Sequence, residues 1–146
     1  MIPDFIDIGS VWPVLPPGIH EASLEEIELR FATNKLRIRL FDGFKNGITA
    51  LRLAGCKIVF IDGSYIAEKP YPGDFDVCWD PTGVDTEILD PVFLDFSDNR
   101  SSQKLKFGGE FFPSSNLADA QRTFIDFFQI DKHTEKAKGI IMVRLV

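Results

Sequence analysis

Apolar residues recur every three or four positions between residues 35 and 54, at Leu36, Leu40, Phe44, Ile48 and Leu51. That spacing predicts a helix, and Gly55 is a natural stop for it. Gly43 and Gly47 fall in its middle, where they either weaken it or admit the close approach of another element. Ser23 and Glu26 have the spacing of a capping box, which predicts a shorter helix from there to Phe31 or Ala32. Residues 57–62 are a β-branched and aromatic run that predicts a strand. Residues 69–73 form a proline-rich turn, and 74–80 predict a second strand. Residues 81–90 read as a loop with a helical turn, and 92–98 fit no single template. Residues 104–112 predict a third strand, with Gly108 and Gly109 as a bulge or a close backbone approach. Pro113 ends it. Ser115 or Asn116 then caps a predicted helix to about Phe128, with Leu117, Ala120, Phe124 and Phe127 or Phe128 facing in. A closing strand covers 139–146. Residues 1–22 read as irregular, because Pro3, Pro13, Pro16, Pro17 and Gly18 disfavour regular structure. Their apolar members, Trp12 and Val14 among them, predict an arm that packs on the domain surface or on a partner. The expected architecture is α+β: a small mixed sheet flanked by helices on one side, in one domain over 23–146.

Composition narrows the class. The 146 residues are 45% hydrophobic and 26% charged, which fits one globular domain and excludes a disordered chain. No apolar run approaches the roughly 20 residues that span a bilayer. Met1-Ile2-Pro3-Asp4 lacks the basic-then-apolar order of a secretory leader, so a cytoplasmic protein is expected. Cys56 and Cys78 read as reduced, buried side chains, with a disulfide between neighbouring strands as the alternative. There is no Cys-x-x-Cys, and the two histidines are far apart, which argues against a zinc site. A net charge of −6 argues against non-specific polyanion binding. The charge is also uneven. Residues 62–98 hold ten acids and one base, Lys69, whereas 100–146 hold eight bases and five acids. Acids facing a metal and later bases facing phosphates would produce that asymmetry.

The chemistry concentrates in two short stretches. Phe60-Ile61-Asp62-Gly63-Ser64 ends a strand in Gly-Ser, and Asp74-Phe75-Asp76-Val77 opens the next. Asp-x-Asp on a strand puts both carboxylates on one face, while Phe75 and Val77 point into a core. Two carboxylates held that close repel unless a cation lies between them. A strand ending in Gly-Ser suits an anion, because its backbone can approach closely and aim N–H groups at phosphate.

Gly-Ser followed by Asp-apolar-Asp-apolar resembles the DNA polymerase beta-like nucleotidyltransferase superfamily; Asp62 stands where that pattern has an apolar residue. Pro16-Pro17-Gly18-Ile19-His20, Asp62-Gly63-Ser64, Lys69-Pro70 and Lys138-Gly139-Ile140 also resemble a group of small bacterial nucleotidyltransferase-like proteins across nearly the whole chain. The resemblance implies a minimal nucleotidyltransferase fold. It implies that Asp74 and Asp76 hold Mg²⁺ or Mn²⁺, and that Gly63 and Ser64 hold the β- and γ-phosphates of an NTP such as ATP. A third carboxylate is expected on a later strand. Glu110 is the candidate, one methylene longer than the family's Asp, and Asp95 competes with it. Lys69, Arg100, Lys104 and Lys106 are candidates for contacting the triphosphate or the acceptor.

Two functions follow. One is metal-dependent transfer of NMP from an NTP to a protein or RNA hydroxyl, as by the toxin of a toxin–antitoxin pair, with an antitoxin or a second copy as partner. The other is a non-catalytic nucleotide- or partner-binding module that keeps the fold; Glu110 and the acidic Asp62 favour it. His20 and His133 lie outside the motif and read as structural or solvated. Phe107, Phe111, Phe112, Phe124, Phe127 and Phe128 read as core rather than as a base-stacking platform.

Overall fold

Short apolar strands must share a sheet to satisfy their backbone groups. The computed structural model, which describes residues 1–145, joins five of them in the order β1-β5-β2-β3-β4. They are β1 (Gly18–Glu21), β2 (Ile58–Asp62), β3 (Phe75–Trp79), β4 (Gly109–Pro113) and β5 (Gly139–Arg144). The sheet is mixed: β2 pairs antiparallel with β3 and β5, while β1–β5 and β3–β4 are parallel. The fold is thus α+β with helices flanking a small mixed sheet.

Side-chain alternation divides the sheet into two faces. Val59, Ile61, Phe75, Val77, Trp79, Phe111, Ile141 and Val143 join the main core under the long helices. Phe60, Cys78, Phe112 and Ile140 form a smaller cluster on the other face, covered by Phe124, Ile125 and Phe128. Cys56 and Cys78 are both free and buried.

The first helices follow the periodicity. In α1 (Leu24–Phe31) the Ser23–Glu26 capping box is formed reciprocally. In α2 (Lys35–Leu53) the Asn34 side chain caps the Arg37 N–H, and Leu40, Phe44, Ile48 and Leu51 are buried. Gly43 and Gly47 serve close approach. A Cβ on Gly43 would lie 1.7 Å from the Phe107 carbonyl oxygen, and one on Gly47 2.3 Å from the Phe111 ring.

Three expectations need correction. The arm is not irregular throughout, because Gly18–Glu21 forms the edge strand β1 on β5; four residues are too short to show alternation. The proposed strand over 104–112 is split. Ser97–Phe107 (α3) is kinked, left-handed over residues 98–100 and helical beyond, burying Gln103 and Phe107 one turn apart and leaving Leu105 91% exposed, and Gly108 at φ +86° ends it before β4 begins. The helix expected from 115 or 116 to 128 shrinks to α4 (Phe124–Phe127). The Asp119 carboxylate instead accepts the Gln121 and Arg122 backbone N–H groups and the Arg122 guanidinium, so this polar side chain competes with helix formation. Residues 92–98 divide between the end of a 3-10 turn, Pro91–Leu94, and the start of α3. No helix among the described residues is long and apolar enough to cross a membrane.

Candidate functional site

Strand register assembles a row of carboxylates. Asp62 on β2 is directly opposite Asp76 on β3, and Asp76 is opposite Glu110 on β4. Asp74 precedes Asp76 by two residues and so projects to the same side. Asp74, Asp76 and Glu110 each bring one carboxylate oxygen within 4.8 Å of the others, and all three are partly exposed. Asp62 is fully buried behind them. Its Oδ2 accepts a 3.5 Å hydrogen bond from the Cys78 thiol, and its Oδ1 has no partner.

The electrostatics follow from crowding like charges in little water. Burial, then the charges of Asp74 and Glu110, pushes the Asp76 carboxyl up to about 8, against the pull of Lys138 and Arg100. Burial, then Asp76, holds Asp62 well above the usual carboxylate range. Burial, then Glu110, raises Asp74. The row is therefore short of positive charge at its centre. Glu110 at the end is compensated, by Arg100 at 2.8 Å and Lys104 at 2.9 Å. Arg100 gets there from a left-handed turn: Asp98, Asn99 and Arg100 have φ of 49°, 52° and 60°.

The row fits a hard divalent cation. Mg²⁺ takes oxygen ligands at about 2.0–2.1 Å, and three carboxylate oxygens within 4.8 Å of one another are the hard donor set it prefers. The raised Asp74 and Asp76 carboxyls mark missing positive charge at the same place.

Gly63 turns the chain beside this row at φ +76°, and a Cβ there would lie 2.3 Å from Asp76 Oδ2. Only glycine brings the backbone that close to the carboxylate. Gly63, Ser64, Lys69, Asp74 and Asp76 line one cleft of about 330 Å³. The proposed phosphate residues thus share a cleft with Asp74 and Asp76, and Glu110 adjoins those two carboxylates from β4. Asp95 is not with them: its carboxylate accepts the Ser97 N–H at 3.1 Å. Lys106 pairs with Asp90 instead.

The family model that matches this chain covers residues 9–144 and carries the description "Family of unknown function (DUF6932)". The chain belongs to this family. No curated protein and no solved structure matches it.

Several residues of this DUF6932 site escape a reading of the sequence. Trp12, Phe127, Phe128, Asp131, His133 and Lys138 line the same cleft, although the first three read as arm or core and His133 as a solvated loop residue. Lys138 was visible only as part of Lys-Gly-Ile. Arg37, almost wholly buried in α2, fixes the chain between the two motifs. Its guanidinium donates to the carbonyls of Phe31 (3.2 Å), Tyr65 (2.7 Å), Ala67 (3.0 Å) and Lys69 (3.2 Å from Nε, with a second bond from Nη2). The Tyr65 hydroxyl returns a bond to the Arg37 carbonyl at 2.9 Å. A basic residue in an amphipathic helix gives no sign of that role.

Proposed function

We propose that this chain is a metal-dependent nucleotidyltransferase that moves NMP from an NTP to a hydroxyl of a protein or RNA acceptor. The observation that carries the reading is the Asp74–Asp76–Glu110 row, short of positive charge at its centre, whose Asp74 and Asp76 share one cleft with the glycine-permitted Gly63-Ser64 turn. Asp74, Asp76 and Glu110 would hold Mg²⁺ or Mn²⁺. When bound, the ion supplies neutralisation of phosphate charge and a clamp on the attacking and leaving oxygens. Gly63 and Ser64 bind the β- and γ-phosphates, and Lys69 and Lys138 add positive charge on the cleft wall. The acceptor oxygen bonds to the α-phosphorus, the α–β bridging bond breaks, and pyrophosphate leaves. The hydroxyl proton passes to Glu110, whose carboxylate is held by Arg100 and Lys104. The rate gain comes from positioning and charge neutralisation. A protein acceptor suits the net charge of −6 better than a long RNA does. Modification of a host target by a cytoplasmic toxin, held in check by an antitoxin, is one setting for such chemistry.

The Glu110–Arg100–Lys104 ion pairs favour a second reading, because they neutralise the third carboxylate without a metal. On that reading the chain binds nucleotide and transfers nothing. Incubation with Mg²⁺ or Mn²⁺ and each α-labelled NTP, with total RNA and with cell protein as acceptors, separates the two. Label transfer that is lost in Asp74→Asn and Asp76→Asn supports the enzyme. Metal-dependent binding without transfer to any acceptor supports the module. Absence of metal-dependent nucleotide binding contradicts both.

A further inference from the structure

The arm before β1 is tied across the cleft, although nothing in the carboxylate chemistry requires it there. Ile6 and Val14 pair through both backbone groups, at 2.8 and 3.0 Å, and close a small hairpin. The Pro13 carbonyl accepts the Glu68 N–H at 3.0 Å, next to the turn that presents Lys69. The Ser10 hydroxyl donates to Asp131 Oδ1 at 3.0 Å, and Lys136 Nζ donates to the Ile8 carbonyl at 3.0 Å. Asp131 is buried and is itself held by the Thr134 N–H and hydroxyl. The arm thus belongs to the rigid frame of the site. The family match begins at residue 9, so the family's shared unit includes the hairpin from there on.

The same arm buries Val14 and Leu15 but leaves Trp12 39% exposed on the cleft wall. Phe127 and Phe128 add aromatic surface to that cleft, which also holds Asp74, Asp76 and Lys138. Flat apolar rings beside cations and metal-binding carboxylates match the two ends of a nucleotide. We propose that the arm forms the base subsite of the cleft: Trp12 stacks on the nucleobase, and the Ser10–Asp131 bond is the clasp that keeps it in place. This rests on the reading of the cleft as a nucleotide site, and it assigns base affinity to Trp12 and phosphate affinity to the carboxylate row and Gly63-Ser64. Ser10 and Asp131 are positioning residues.

Calorimetric titration of wild type, Trp12→Ala, Trp12→Phe and Ser10→Ala with Mg²⁺–NTPs and with Mg²⁺–tripolyphosphate tests the assignment. Wild type is expected to bind at least one NTP about tenfold or more tighter than tripolyphosphate, the scale of one aromatic–base stack. Trp12→Ala loses that advantage and keeps its tripolyphosphate affinity. Trp12→Phe retains most of it, and Ser10→Ala weakens NTP alone by a few-fold. Tripolyphosphate bound as tightly as every NTP by wild type overturns the base subsite and leaves the metal–phosphate site standing, as does unchanged NTP affinity in Trp12→Ala. A wild type that binds neither ligand with Mg²⁺ overturns both readings.

Discussion

Asp62 stands directly opposite Asp76 across the antiparallel β2–β3 pair, and it is the one fully buried carboxylate of the row. Two charged carboxylates in those positions repel strongly in a site with little water. With burial and then Asp76 holding its carboxyl well above the usual range, Asp62 is biased towards its neutral form, which spares the row a charge. It lies outside the Asp74–Asp76–Glu110 group.

Asp62→Asn mimics the protonated group and no longer titrates. The folded wild type retains a proton that the unfolded chain gives up near its ordinary pKa. Its stability is therefore full below about pH 4 and falls as the pH rises towards the folded pKa. The variant lacks that term. Urea unfolding at about pH 5 and about pH 7 should show Asp62→Asn gaining on wild type, by up to about 1.4 kcal/mol per pH unit. A gap that does not change with pH contradicts a protonated Asp62.

Asp76 extends the same logic to the metal. Its carboxyl, pushed up to about 8, must lose a proton before it can take a cation. Without metal, this group also makes stability fall as the pH rises from about 4 to about 8. Millimolar Mg²⁺ should raise the melting temperature more at about pH 8 than at about pH 5.5. Asp76→Asn should remove the Mg²⁺ effect and flatten the pH slope. A differential scanning fluorimetry grid of pH against Mg²⁺ reads both.

Arg37 predicts a large loss from a single surface-like substitution. Arg37→Met leaves the carbonyls of Tyr65, Ala67 and Lys69 without their donor, while that of Phe31 keeps the Thr33 N–H. At about 1–3 kcal/mol for each buried group left unpaired, a loss of about 3 kcal/mol or more is expected in urea unfolding. Arg37→Lys should not restore it, because one ammonium cannot reproduce the planar fork. A cost below about 1 kcal/mol means that the carbonyls are not relying on Arg37.

Gly47 tests the packing of α2 by the sign of its effect. Helix propensity alone makes Gly47→Ala stabilising by about 1 kcal/mol. The Phe111 ring, 2.3 Å from the added methyl and locked in the core, makes it destabilising. Thermal unfolding of the variant decides which effect wins, and a lower melting temperature is expected.

Signals carried by neighbouring residues were legible in the sequence. The Ser23–Glu26 box, the α2 stripe, the Gly63-Ser64 turn and the Asp74–Asp76 spacing each depend on a few adjacent positions, and each stands as expected. Glu110 reaches the row on β4, although the strand was read as starting five residues too early: Lys104, Leu105 and Lys106 alternate like a strand but lie on α3. The Asp62–Asp76 opposition needs strand register, which no local pattern encodes. The cleft wall joins Trp12, Lys69 and Lys138 from distant parts of the chain, so its composition appears only after folding. Asp119 replaced the expected helix over 116–123 with a turn, because its carboxylate satisfies two backbone N–H groups locally.

The central claim is that the carboxylate row is a divalent cation site serving nucleotide phosphates. Titration of Mn²⁺ into the protein, followed by electron paramagnetic resonance with and without ATP, measures this directly. The account predicts a saturable Mn²⁺ site in wild type that tightens when ATP is present and disappears in Asp74→Asn and Asp76→Asn. Mn²⁺ binding that is indifferent to both substitutions, or no binding with or without ATP, contradicts it.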